Sequence, residues 1–357
     1  MNRIEEINAK HERLRALLEA QQADALWLRM TRNIAWLTAG ADASIPADSD
    51  TGAYSVLVTP ERRVIYTTNI EATRLRGEEK FEELGFEVHE FPWHAAEEPS
   101  AARLLQDTDP AVEAAIQPLR VVLMQPEQER FRALGGDAAA ALDEAIRASK
   151  PGDTEFEVAA RLDAACRARG GLAVVNLIAS DERISQYRHP LATHKKVDKY
   201  LMMVVCIRRG GLVVSGTRLA YFGSLPADIA EKARKVAAID AAVMVATRPG
   251  RVLSEVFADL LAAYAAQGEA DQWRNHHQGG PAGYNAREWI SGPEDSRRVQ
   301  AGMTFAWNPS IVGCKSEDTI LVDDSGFEIV SAASDDWPMI NVDVNGTSVS
   351  RPGIIEL

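Results

Sequence analysis

The 357-residue chain has little cysteine: three residues, Cys166, Cys206 and Cys314. Their odd number and wide spacing argue against a disulfide framework, and no CxxC pair offers a zinc site. Long apolar runs are also missing. The longest, Leu201 to Ile207, falls far short of the roughly 20 residues that span a bilayer. Positive charge is in deficit, with 39 Lys and Arg against 52 Asp and Glu, a net charge of −13. Non-specific binding to nucleic acid or to an anionic membrane needs clustered cations, so neither partner is expected. No GxSxG, HExxH, GxGxxG or P-loop pattern occurs, which removes the commoner hydrolase and nucleotide-binding readings. The amino-terminal stretch MNRIEEINAKHERLRALLEA is charged and helical rather than a secretory signal, so a soluble cytoplasmic protein is expected.

What remains is an ordinary globular composition, 46% hydrophobic and 25% charged, long enough for one large domain or two ordinary ones. Ile4, Ile7, His11, Leu14, Leu17 and Leu18 recur at helical spacing and open the chain with an amphipathic helix. Strands are expected at Ala25–Leu28, Ser55–Val58, Val64–Thr67, Phe86–Phe91 and Arg120–Leu123, and helices at Ile70–Glu83 and Ala111–Ile116. This alternation predicts a small α/β domain over residues 1–125.

A second domain is expected over 126–357, entered by a linker helix at about 126–149 that is interrupted or bent at Gly135-Gly136. Lys150-Pro151-Gly152 stops that helix, and Thr154 with Glu157 three residues on forms a capping box for the next. Strand-like runs follow at Ala173–Ile178, Leu201–Ile207 and Leu212–Val214. The cycle then repeats: a helix over Ala227–Thr247, a stop at Arg248-Pro249-Gly250, and a helix from Ser254-Glu255 to Gly268. Two such cycles suit an internally duplicated α+β domain with a site between its halves.

Several motifs then fall in a consistent order. They are Asn33-Ile34-Ala35-Trp36-Leu37-Thr38, His276-His277-Gln278-Gly279-Gly280, Ala301-Gly302-Met303-Thr304-Phe305 and Ser316-Glu317-Asp318-Thr319-Ile320-Leu321-Val322. Together they resemble the creatinase and Xaa-Pro peptidase family, which includes prolidase and aminopeptidase P. The resemblance covers almost the whole chain. It implies an α/β N-terminal domain followed by an α+β pita-bread domain with an internal pseudo-two-fold repeat, a homodimer, and a dipeptide or other small-molecule ligand. The family's peptidases hold two divalent metals with two aspartates, one histidine and two glutamates, a set whose negative charges offset the repulsion of neighbouring cations.

Carried over one position at a time, that set is degenerate here. Ser215 stands at the aspartate position before Thr217-Arg218, and no carboxylate occurs anywhere from Tyr200 to Phe222. His277 matches the histidine, with His276 one residue away as the alternative. Asn308 stands at the first glutamate and Glu317 at the second. No dinuclear site and no cofactor are therefore expected, although His277 and Glu317 leave room for one weakly held divalent metal. His189, in Arg188-His189-Pro190, matches a histidine that acts as acid and base in creatinase, a metal-free relative. Its bland alternative is a loop histidine bonded to backbone. His277 and Glu317 join His189 as catalytic candidates, and Asn308, Arg287, Tyr284 and Arg218 are the candidate substrate-binding groups. Arg287 suits a bidentate clamp on a carboxylate, or else an ordinary salt bridge. Cys206 reads as a small core residue rather than a nucleophile. Two readings stay open: a metal-free hydrolase of carbon–nitrogen bonds in a peptide or creatine-like substrate, and a protein that binds such a ligand without turnover.

Overall fold

A computed structural model describes all residues from Met1 to Leu357. The chain divides into two compact units, Met1–Glu127 with Gly210–Leu212, and Gln128–Arg209 with Val213–Leu357. No helix is long and apolar enough to cross a membrane.

The first unit is a five-stranded mixed sheet with helices. Its strand order is Glu87–Phe91, Arg63–Thr68, Thr51–Val58, Ala25–Met30 and Leu104–Gln106. The two outer pairings are parallel and the two inner ones antiparallel. The opening helix, Arg3–Ala20, starts on a capping box between Asn2 and Glu5. Two expectations fail here. The helix expected over 70–83 is confined to Ala72–Gly77. No strand forms at Arg120–Leu123: Arg120 ends a helix, Pro110–Arg120, which Asp109 caps and Pro110 opens, and the residues after it are irregular. Arg120 is fully buried, with Nη1 donating to Asn33 Oδ1 at 2.6 Å and Nη2 paired with Glu113 at 2.8 Å. The fifth strand is instead Leu104–Gln106, only three residues long and dependent on its parallel partner Ala25–Trp27.

The second unit opens with the helix Gln125–Arg147, which runs unbroken through Gly135-Gly136. The expected interruption is absent, and Gly135 serves another purpose. A Cβ there would lie 2.2 Å from the Val330 carbonyl oxygen, so glycine permits close packing of the helix on that strand end. The helix Glu155–Ala168 begins on the Thr154/Glu157 capping box read from the sequence. One four-stranded sheet has the order Ile354–Glu356, Leu212–Tyr221, Tyr200–Arg209, Leu172–Ser180. A second has the order Phe327–Ile329, Asp318–Val322, Thr304–Trp307, Gly279–Ala282. The two sheets meet where Ser215 N donates to Thr319 Oγ1 at 2.9 Å and Thr217 N donates to the Glu317 carbonyl at 3.0 Å. Helices Ala227–Ala246 and Leu253–Ala266 complete the repeated helix cycle.

Candidate active site

The strand pair Tyr200–Arg209 and Leu212–Tyr221 is buried almost throughout. Where it approaches the second sheet it presents Cys206 and Ser215, with Sγ and Oγ 3.2 Å apart. Both side chains are nearly inaccessible, and burial, then the nearby Glu317 charge, raises the Cys206 thiol pKa. That makes Cys206 a core thiol and not a nucleophile.

Glu317 lies opposite, 2% exposed, just ahead of the strand Asp318–Val322. Both its oxygens are occupied. Oε1 accepts from Arg287 Nη2 at 2.8 Å, and Oε2 from Lys315 Nζ at 2.8 Å and Thr217 Oγ1 at 2.7 Å. Burial works against its charge, but Lys315 and Arg287 outweigh burial and hold the carboxyl down at about 2. Arg287 also donates from Nη1 to Ser215 Oγ at 3.0 Å. Its Nε is buried without a hydrogen-bond partner, as is Asn308 Oδ1. Lys315 belongs to the small hairpin Ser310–Ile311/Cys314–Lys315. The sequence reading overlooked it, although a residue two before Glu317 in an extended segment shares its face.

Glycine chemistry positions the histidines. After the short turn Gln272–Asn275, His276 and His277 lead into the strand Gly279–Ala282. Gly279 has φ +99°, and a Cβ there would meet the Ala306 carbonyl oxygen at 2.1 Å. Gln278, 1% exposed, locks the turn: Nε2 donates to the Trp273 and His276 carbonyls, and Oε1 accepts from the Tyr264 hydroxyl at 2.8 Å.

His189 arrives from a different segment. Glu155 ties that segment down by accepting from Ser180 N at 2.9 Å, from Thr193 N at 3.0 Å and from the Arg183 guanidinium. Asp181 fixes its far end by accepting from Lys199 N at 2.8 Å and Tyr200 N at 2.9 Å. His189 Nε2 then lies 2.9 Å from His276 Nε2, and its ring lies 5.7 Å from that of His277. Burial, then Lys315, lowers the His189 pKa. Burial with Lys315 brings His276 to about 3, and burial with Arg287 brings His277 to about 4. All three imidazoles are therefore neutral near pH 7. A cavity of about 350 Å³ adjoins His276 and His277, lined also by Phe257, Trp273 and Ser291 among others.

The sequence-derived candidates thus separate into two groups. Arg287 bridges Ser215 and Glu317, and His189 reaches the His276-His277 turn. Asn308 is linked to that turn through its N–H, which donates to the Gln278 carbonyl at 3.1 Å. Arg218 is placed elsewhere. It is 1% exposed and donates to Asp318 Oδ1 at 3.0 Å and the Ser331 carbonyl at 2.7 Å. Its guanidinium is enclosed in a structural ion cluster rather than turned toward a ligand. Tyr284 is 2% exposed, in a turn where Glu288 accepts from its N–H at 3.0 Å. His276 was read only as the alternative to His277, yet it is the histidine in contact with His189.

Comparison with known proteins agrees with this architecture. The family model described as metallopeptidase family M24 matches residues 129–324, more than half of the chain, and that of the creatinase/prolidase N-terminal domain matches residues 10–146. The chain belongs to metallopeptidase family M24, with a creatinase-type N-terminal domain before its pita-bread domain. Among solved structures it is similar to a dipeptidase from Pyrococcus horikoshii OT3 (TM-score 0.77, 16% identity, covering 98% of this chain and 100% of that one). It is similar also to the prolidase from the same organism (0.75, 19%, 92% and 99%). A third is the Xaa-Pro dipeptidase from Bacillus anthracis (0.75, 17%, 98% and 100%). At such identities these likenesses establish the fold. No curated protein matches the chain.

Proposed function

We propose that this chain hydrolyses a carbon–nitrogen bond in a small carboxylate-bearing substrate, an Xaa-Pro dipeptide or a creatine-like amidine, without a dinuclear metal centre. The observation that carries this reading is the charge balance at Glu317. One buried carboxylate faces two cations, Arg287 and Lys315. A substrate carboxylate would supply the missing negative charge, and the buried Arg287 Nε–H, which has no partner, is a donor for it.

The family's two metals do not fit these residues. Two neighbouring dications need several anionic oxygens, and this site offers one carboxylate whose two oxygens already bind protein cations. Ser215 and Cys206 contribute a hydroxyl and a protonated thiol, both poor substitutes for aspartate.

The histidines supply the proton chemistry. Neutral His189 is basic at pH 7 and takes a proton from water as the water oxygen bonds to the scissile carbon. The tetrahedral species then collapses, the carbon–nitrogen bond breaks, and His189 returns the proton to the leaving nitrogen. With two Nε2 atoms 2.9 Å apart, one of His189 and His276 donates and the other accepts, which couples their tautomers. The adjoining cavity falls in the range of small-ligand sites, about 300–1,000 Å³. Its Phe257 and Trp273 rings suit an apolar side chain or a proline ring.

The test is turnover of Xaa-Pro dipeptides and creatine-like amidines by chelator-stripped protein, with metal content measured by elemental analysis. Activity that survives stripping and disappears in His189→Ala is the expected result. Binding of two metal equivalents with activation would overturn the reading.

A further inference from the structure

We infer that His189, His276 and His277 together chelate a single transition-metal dication of the Zn²⁺, Ni²⁺ or Cu²⁺ class. Each ring offers one nitrogen, and the three donor atoms lie within 4.8 Å of one another. Tetrahedral zinc with metal–nitrogen bonds of about 2.05 Å needs nitrogens about 3.4 Å apart. The His189–His276 pair, at 2.9 Å, has only to open slightly, and the widest pair has to close by little more than an ångström. Small rotations of the rings supply that movement.

The supports are already rigid. His276 and His277 are held by Gln278 and the glycine pair, and His189 sits on the segment anchored by Glu155 and Asp181. Two of the ring nitrogens, Nδ1 of His276 and of His277, are buried with no hydrogen-bond partner. An unpaired buried nitrogen is costly in a protein interior, and coordination through Nδ1 would satisfy that of His277, whereas His276, whose Nε2 faces His189, would ligate through Nε2.

The donor set dictates the ion. Three imidazoles with no free carboxylate suit borderline metals and discriminate against Mg²⁺, Ca²⁺ and Mn²⁺, which prefer oxygen. Glu317 is not among the ligands, because Arg287, Lys315 and Thr217 saturate it. This set therefore differs from a single metal shared by His277 and Glu317. A fourth position stays open toward the cavity lined by His276 and His277. In the hydrolase reading, on which this one consequence rests, a metal would take the His189 lone pair that accepts the proton. Metal and hydrolysis would then compete.

The experiment is titration of chelator-stripped full-length protein with Zn²⁺ by calorimetry, and with Co²⁺ or Cu²⁺ by visible absorption and electron paramagnetic resonance. One equivalent is expected, with nitrogen hyperfine structure for Cu²⁺ and far weaker binding of Mg²⁺. His189→Gln and His276→Gln should each weaken Zn²⁺ binding by at least about tenfold, the scale of losing one of three protein ligands. Glu317→Gln should leave it nearly unchanged. Loss of binding in Glu317→Gln with retention in His189→Gln would overturn the three-histidine site, as would two equivalents or none. Turnover is read separately. Stripped protein with no activity sinks the hydrolase reading while the titration still decides the metal site.

Discussion

Glu317 and Asp318 are adjacent, both buried and both ion-paired, yet they belong to charge clusters of different kinds. Asp318 accepts from Arg218 at 3.0 Å, Ser331 Oγ at 2.7 Å and Arg351 at 2.7 Å. Arg351 also binds Asp240 at 2.7 Å, and Ser316 Oγ donates to Asp240 at 2.6 Å. Two carboxylates and two guanidiniums cancel, with Asp240 Oδ1 alone left without a hydrogen-bond partner. Around Glu317 the count is one carboxylate to two cations, with a buried Arg287 Nε–H left over. Successive residues of an extended segment point to opposite faces, so one Glu-Asp pair serves both clusters. A balanced, enclosed cluster reads as structure, whereas in the proposed function the unbalanced one is the place for an anion.

Breaking the balanced cluster should have the largest effect. Arg351→Met strands Asp240 and Asp318 in an enclosed interior. Burial already pushes Asp240 up, to about 6, even with Arg351 and Ser316 opposing it. Removing one partner of a buried pair costs about 3–5 kcal/mol. Urea unfolding should show that loss, while KM measured at a temperature where the variant is folded stays close to that of the parent. A KM change as large as the stability change would show that the two clusters are not separate.

Acid should act next, and the stability that it removes from the unbalanced cluster is carried by Glu317. Glu317 has a folded-state pKa of about 2 against an ordinary 4.5, so the folded state holds the proton less tightly than the unfolded chain. Its contribution is complete above pH 4.5, declines as pH falls from 4.5 to 2, and is gone below. The gap corresponds to about 3 kcal/mol at most. Glu317→Gln should be less stable at pH 7 and show a flatter acid limb, measured by chemical unfolding at stepped pH. A limb as steep as the parent's would assign the acid sensitivity to another group.

Lys315→Met sharpens the comparison further, because it leaves Glu317 and Arg287 as a matched pair. Stability should fall by no more than about 2 kcal/mol, since Lys315 is the largest of the charges that keep Glu317 ionised but Arg287 and Thr217 remain. Binding of a carboxylate ligand should weaken by about tenfold, one charge-assisted hydrogen bond's worth. The reverse pattern, a large stability loss with unchanged ligand binding, would make Lys315 structural.

How much of this was legible in the sequence follows from the range of each interaction. The Thr154/Glu157 cap and the Pro-Gly helix stops act over three or four residues and could be read directly. The Leu104–Gln106 strand could not, because it exists only through its parallel pairing with Ala25–Trp27. Ser215, Asn308 and the carboxylate-free strand stood out by position in the family pattern, and Lys315 was available from its two-residue offset to Glu317. The His189–His276 contact joins residues 87 apart, and no local pattern encodes it. Arg218 was misassigned because adjacency to a site motif does not reveal which face a side chain takes. Its partner is Asp318.

The smallest expected effect tests whether Ser215 now serves the cations. Its hydroxyl accepts from Arg287 Nη1 at 3.0 Å and stands 3.2 Å from Cys206 Sγ. In Ser215→Ala the guanidinium keeps Glu317 and the Ala286 carbonyl at 2.6 Å, so the arginine stays in place with one fewer acceptor. One buried hydrogen bond is worth about 1 kcal/mol, and thermal unfolding should register a loss of that size. Carboxylate binding should weaken by no more than a few-fold, because the hydroxyl orients Arg287 without contributing charge. A loss on the scale of Lys315→Met would instead place the Ser215 hydroxyl on the ligand itself. The side chain at the family's aspartate position would then be a direct contact of the ligand.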